Sequence, residues 1–246
     1  MPGGRADIFQ EIEPAVKCGL NLILDGESGV GKDYLARLIH QKRKWEGELT
    51  VYDCEQTIRD QTRIVGELTS PVFFQELRRS ARKNTVFVRR VDLLQAHLLA
   101  QLSDFLVELG KRGAVPRNEL LNLGLIGSLQ TSSHNRSLHN FQLQRFCSIL
   151  FCLKMTIPPL RQRKGEIPGL AETFISQFNK EQKRKVMGIL PDVLGLLLQF
   201  DWPDNICELR MEIERAATFT GDYEPIKPSA LSEKLIKSVY KSCLLH

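Results

Sequence analysis

Residues 20–33 read Leu-Asn-Leu-Ile-Leu-Asp-Gly-Glu-Ser-Gly-Val-Gly-Lys-Asp, and chemistry follows from their order. Leu20 to Leu24 make an apolar run, and Gly26, Gly29 and Gly31 punctuate the turn after it. Lys32 then opens a segment that carries Leu35, Leu38 and Ile39 at helical spacing. A strand, a glycine-rich turn, a lysine and a helix in that order form a phosphate-binding loop. Glycines let backbone amides converge on an anion because no Cβ blocks the approach. The helix start contributes its positive dipole end, and a lysine there reaches the outer phosphates. The nucleotide-binding candidates are therefore Gly26, Glu27, Ser28, Gly29, Val30, Gly31, Lys32 and Asp33. Asp33 stands where a Ser or Thr hydroxyl usually meets magnesium, which makes its carboxylate the candidate metal contact. A glycine-rich turn before an ordinary helix is the bland alternative, and the G-x(4)-G-K spacing disfavours it.

The elements that must position this loop are legible along the chain. Asp7, Ile8, Ile12 and Val16 suit a capped amphipathic helix over 7–17 that leads into the first strand. Further strands are expected at Leu49–Asp53, Thr85–Val88, Leu121–Leu129 and Ile149–Ile157. Residues 55–83 read as helix with loops, and their tail carries Arg78, Arg79, Arg82 and Lys83, a charge run best read as a solvated face. Leu93–Leu109 has helical periodicity, with Gly110 as its C-cap. Strands alternating with helices imply a doubly wound α/β domain with nucleotide at the carboxyl ends of its strands. Beyond Pro158-Pro159 strand signals cease, and Ile167–Asn179, Pro191–Phe200 and Asn205–Phe219 read as helices. The expected division is a nucleotide-binding α/β domain over 1–161 and an all-helical domain over 162–246.

Composition sets the outer limits. The 246 residues hold 42% hydrophobic and 26% charged side chains, ordinary for a globular protein. No apolar run approaches the ~20 residues of a membrane span, and the N-terminus lacks a signal-peptide layout, so a cytoplasmic protein is expected. The net charge of +5 permits nucleic-acid contact without arguing for it. Cysteines 18, 54, 147, 152, 207 and 243 form no C-x-x-C pair, which suits reduced, partly buried thiols rather than zinc ligands.

Three segments resemble the AAA+ domain of bacterial sigma-54-dependent transcription activators. Gly26-Glu-Ser-Gly-Val-Gly-Lys-Asp33 is similar to that family's GESGTGKE, in which an acidic residue also follows the lysine. Ile157-Pro-Pro-Leu-Arg-Gln-Arg-Lys-Gly-Glu-Ile167 resembles LPPLRERREDI, and Trp202-Pro-Asp-Asn-Ile-Cys-Glu-Leu-Arg210 resembles WPGNVRELRN. The resemblance spans roughly residues 8–235. It implies a three-layer α/β/α parallel sheet followed by a small helical lid, with ATP and Mg2+ between them.

The departures from that pattern bear on mechanism. The family's LFLDE aligns with Val86-Phe-Val-Arg-Arg90, so cations replace the carboxylate that holds magnesium and the one that polarises water. A guanidinium does neither. Asp92 is the only nearby substitute and hence the catalytic candidate; two residues along a strand keeps the face but moves the group about 6–7 Å. The residue that senses the γ-phosphate falls near Gln130, and the lid arginine falls on Cys207. The trans-acting arginines align with Gln142–Leu150, which offers only Arg145. Losing such an arginine costs about a thousandfold or more. No GAFTGA-like sequence, the family's contact with the sigma factor, lies between Lys32 and Arg89.

The resemblance thus implies an ATP-binding transcription regulator with lost or weakened hydrolysis. Self- or hetero-oligomers with AAA+ relatives are its expected assemblies, and sigma-54 polymerase is a partner by resemblance only, given the missing loop. Without a helix-turn-helix after the core, direct DNA binding is not expected. A protein-interaction scaffold, or a regulatory subunit in a mixed ring, is the alternative reading. An Arg89-Arg90 pair standing in for metal would make nucleotide binding insensitive to magnesium removal.

Overall fold

A computed structural model describes residues 13, 16–17, 20–70, 72, 83–111, 123–130, 137–150 and 153–243. Of the expected helix over 7–17, residues 13, 16 and 17 are described and helical, and the rest lies outside the described residues, as does most of Phe74–Lys83.

The chain divides into two compact units. The α/β unit holds the described residues of Phe9–Gly26 and of Gly31–Ile157. Its strands are β1 (Leu22–Asp25), β2 (Leu49–Asp53), β3 (Asn84–Arg89), β4 (Leu123–Leu129) and β5 (Leu153–Thr156). They form one parallel sheet in the order β2-β3-β4-β1-β5. β1 lies between β4 and β5, with Leu22 opposite Ile126 and Leu153. All four of its residues are buried, as a parallel strand covered on both faces requires. The helices are α1 (Lys32–Lys42), α2 (Ile58–Leu68), α3 (Ala96–Lys111) and α4 (Ser137–Leu150).

The alternation of β3 shows how the layers form. Val86 and Val88 pack with Ile64, Val65 and Leu68 of α2, Leu98, Leu99 and Leu102 of α3, and Phe146 of α4. On the opposite face, Thr85 meets His40 of α1 through a 2.9 Å hydrogen bond. Helices on both faces of a parallel sheet are the expected three-layer architecture.

Three expected boundaries are corrected. The helix foreseen from Leu93 begins at Ala96, because Arg90 takes a left-handed φ of 52° and Val91–Leu93 forms a 3-10 turn. It also runs through Gly110 to Lys111, since one glycine costs a helix only about 1 kcal/mol. Ile149 and Leu150 complete α4, where Phe146 faces the core, so β5 starts only at Leu153.

The helical unit contains α5 (Ile167–Gln182), α6 (Pro191–Gln199), α7 (Asn205–Thr218) and α8 (Glu233–Cys243). The described residues of Pro158–His246 belong to it, together with Glu27–Val30. Its core joins Ile167, Phe174 and Phe178 of α5 to Val193, Leu197, Leu209, Ile213, Leu235 and Val239. Trp202 is fully buried, donates its indole N–H to the Leu197 carbonyl at 2.8 Å and meets Phe200 edge-on. Asn179 clips the following loop by two 2.9 Å bonds to the Val186 backbone. No helix among the described residues is long and apolar enough to cross a membrane.

Candidate functional site

The loop leaves the carboxyl end of β1, where Asp25 is buried and paired with Lys154 at 2.9 Å. Gly29 and Gly31 have φ of 70° and 98°, values that side chains rarely adopt, so the turn depends on glycine at both places. Lys32 opens α1 and donates to the Gly26 carbonyl at 2.7 Å.

One turn of chemistry away, a single guanidinium holds two carboxylates. Arg89, the last residue of β3, donates through Nε to Asp33 Oδ1 at 3.1 Å and pairs through Nη2 with Asp33 Oδ2. Its Nη1 reaches Asp53 Oδ2, at the end of β2, at 2.9 Å. Parallel pairing sets Asp53 opposite Arg89 in register, which explains the meeting. Arg90 turns the other way. It grips Asp92 through Nη2 at 3.0 Å and Nε at 3.3 Å, with Glu55 at 3.7 Å. Asp92 is buried and also accepts the Gln130 N–H at 3.2 Å, while the Arg90 N–H donates to Ser128 Oγ.

In the helical unit, the loop tip Glu27–Val30 is held by backbone and side chain alike. Arg161 forms a two-pronged pair with Glu27. The Ser28 carbonyl accepts from Asn205 Nδ2 at 2.8 Å, the Gly29 carbonyl from the Ile206 N–H at 3.0 Å, and the Val30 carbonyl from Arg163 Nη2 at 2.7 Å. Asn205 is fully buried at φ 52°, and its Oδ1 accepts the Leu160 N–H at 2.7 Å. A Cβ on Gly29 would meet the Asp204 carbonyl oxygen at 2.1 Å, so close approach as well as φ demands glycine there.

Residues 161–242 match the family described as the AAA+ ATPase lid domain, and residues 4–64 match the sigma-54 interaction domain. The chain resembles the AAA+ domain of the sigma-54 activators. It is 26% identical over 252 residues to the transcriptional regulatory protein ZraR of Salmonella typhimurium, covering 95% of this chain and 56% of that protein. It is 28% identical over 240 residues to XylR of Pseudomonas putida, covering 91% of this chain and 41% of that protein. The chain therefore spans about half the length of the curated relatives it matches. The crystal structure of NtrX from Brucella abortus in complex with ADP is alike in fold, at a TM-score of 0.72 and 19% identity over 96% of this chain and 56% of that one.

The chain's described carboxylates are poorly disposed for magnesium. Asp33 and Asp53 share Arg89, Asp92 is covered by Arg90, and no cluster of three or more potential ligands occurs among the described residues. A divalent cation there would have to displace guanidinium groups. Of the other aligned positions, Cys207 is exposed and Arg145 pairs with Asp104 at 2.6 Å. Burial pushes the Cys54 thiol up to about 12 and the Cys147 thiol up to about 11. Asp53, Asn205, Arg161 and Arg163 were not singled out from sequence. The last three lie inside the segments that carry the family resemblance, which is where a signal stood. Asp53 had none, because only strand register brings it to Arg89.

Proposed function

We propose that this chain is a nucleotide-binding AAA+ domain that acts in transcription control in the cytoplasm and turns over ATP slowly or not at all. Gly29, Gly31 and Lys32 support binding: two turn positions open only to glycine lead straight into a lysine at a helix start. The observation that carries loss of hydrolysis is Arg89 lying on Asp33 and Asp53. A permanent cation there neutralises the carboxylates that a metal would need, and a guanidinium takes no proton from water. Asp92, fixed by Arg90 and the Gln130 N–H, has lone pairs already engaged. ATP is the nucleotide that the family resemblance favours, with the loop amides and Lys32 as phosphate ligands. Association with AAA+ relatives is the assembly it favours.

Equilibrium binding of labelled ATP, with Lys32→Ala as control and with magnesium present or chelated, tests this reading. Binding is expected in the unsubstituted chain, lost in the variant and unchanged by chelation, with phosphate release at the level of the Lys32→Ala control. A strict magnesium requirement or sustained turnover would refute the reading. The same protein is expected not to drive open-complex formation by sigma-54 polymerase.

A further inference from the structure

We propose that Asn205 and Arg163 are positioning residues that preset the phosphate-binding loop by holding its carbonyls; this rests on the nucleotide reading above. The argument is geometric. In a trans peptide the C=O of one residue and the N–H of the next point in opposite directions. No peptide among the described residues is cis. Three successive carbonyls, of Ser28, Gly29 and Val30, are each taken by a donor of the helical unit: Asn205 Nδ2, the Ile206 N–H and Arg163 Nη2. The N–H groups of Gly29, Val30 and Gly31 therefore point away from those donors. The Gly29 and Gly31 N–H groups donate to no other group among the described residues. Successive amides turned outward in this way form an anion-binding concavity.

The two side chains are built for the task. Asn205 is fully buried and uses both ends of its amide, Oδ1 on the Leu160 N–H and Nδ2 on the Ser28 carbonyl, with Glu27 Oε2 at 3.2 Å. Arg163 is buried and fans out to the Pro158 carbonyl at 3.0 Å, Glu166 at 3.1 Å and the Val30 carbonyl at 2.7 Å. Lysine reproduces the charge of that fan but not its three directions. A loop with its amides already oriented need not be ordered by the ligand, so Asn205 and Arg163 contribute to affinity without touching phosphate.

The test uses the full chain with Asn205→Ala and Arg163→Lys, neither of which changes net charge. Two quantities are read: ATP affinity below the unfolding transition, and hydrogen-exchange protection of the Ile206 N–H, which reports its bond to Gly29. Each substitution is expected to weaken ATP binding about tenfold, the equivalent of one lost orienting hydrogen bond, and to reduce that protection. A purely structural role would lower the unfolding midpoint and leave the affinity of the folded chain unchanged. Arg163→Lys keeps the test open should Asn205→Ala fail to fold through the stranded Leu160 N–H. Equal affinity in both variants, with binding intact in the unsubstituted chain, overturns this proposal alone. No binding by the unsubstituted chain overturns the nucleotide reading and this proposal with it.

Discussion

Arg89 joins Asp33 to Asp53 with side chains that are 37%, 44% and 28% exposed, so solvent and salt weaken the cluster. Arg89→Gln is expected to cost about 1 kcal/mol in denaturant unfolding at low salt, and less at about 1 M salt. Thiol chemistry offers a second check at this scale. Burial raises the Cys54 and Cys147 thiols, whereas Cys207 is exposed. Among these three, a thiol reagent near neutral pH is expected to modify Cys207 first, and peptide mass mapping identifies the site. Sequence placed Arg89 and Arg90 at the end of an apolar strand run, where the family resemblance implies carboxylates. It did not reveal what they pair with, since Asp53 reaches Arg89 only across a strand pair.

At the scale of elements, the glycines within helices differ from those at turns. A Cβ added to Gly66 in α2 or Gly195 in α6 meets nothing within 4 Å. Gly66→Ala and Gly195→Ala are each expected to raise stability by about 0.5–1 kcal/mol, read as a higher unfolding midpoint. Gly124→Ala in β4 should do the reverse, because its Cβ would meet Arg43 Nη1 at 1.9 Å and the Trp45 ring at 2.6 Å. The joint between α1 and β3 carries a pH dependence. Burial, and then the nearby Arg43 cation, hold the His40 imidazole below its usual range. The unfolded chain then binds the extra proton, so this contribution is intact above about pH 6.5 and is lost as pH falls below it. His40→Gln is expected to flatten the fall in unfolding midpoint between about pH 7.5 and about pH 5.5. Strand cores were legible as short apolar runs. Element ends were not, because a left-handed residue at Arg90 and a glycine inside α3 act through backbone geometry.

For the molecule as a whole, two units were foreseeable from where strand signals stop. That Glu27–Val30 groups with the helical unit was not, because it depends on hydrogen bonds between residues far apart in sequence. A glutamate-specific protease provides a check. The peptide bond after Glu27 is expected to resist cleavage in the intact chain and to be cut faster in Arg161→Ala, which removes the two-pronged pair on Glu27; mass spectrometry of the fragments reads the site. The same pairing bears on how the chain is made. Ser28 is polymerised 177 residues before Asn205, the side chain that takes its carbonyl. At translation rates of about 5–20 residues per second, that gap lasts on the order of ten seconds or more. A nascent chain that stops short of Asn205 would therefore carry its glycine turn without the Asn205 and Ile206 donors that take the Ser28 and Gly29 carbonyls, and the turn acquires its full set of partners long after its own residues are made.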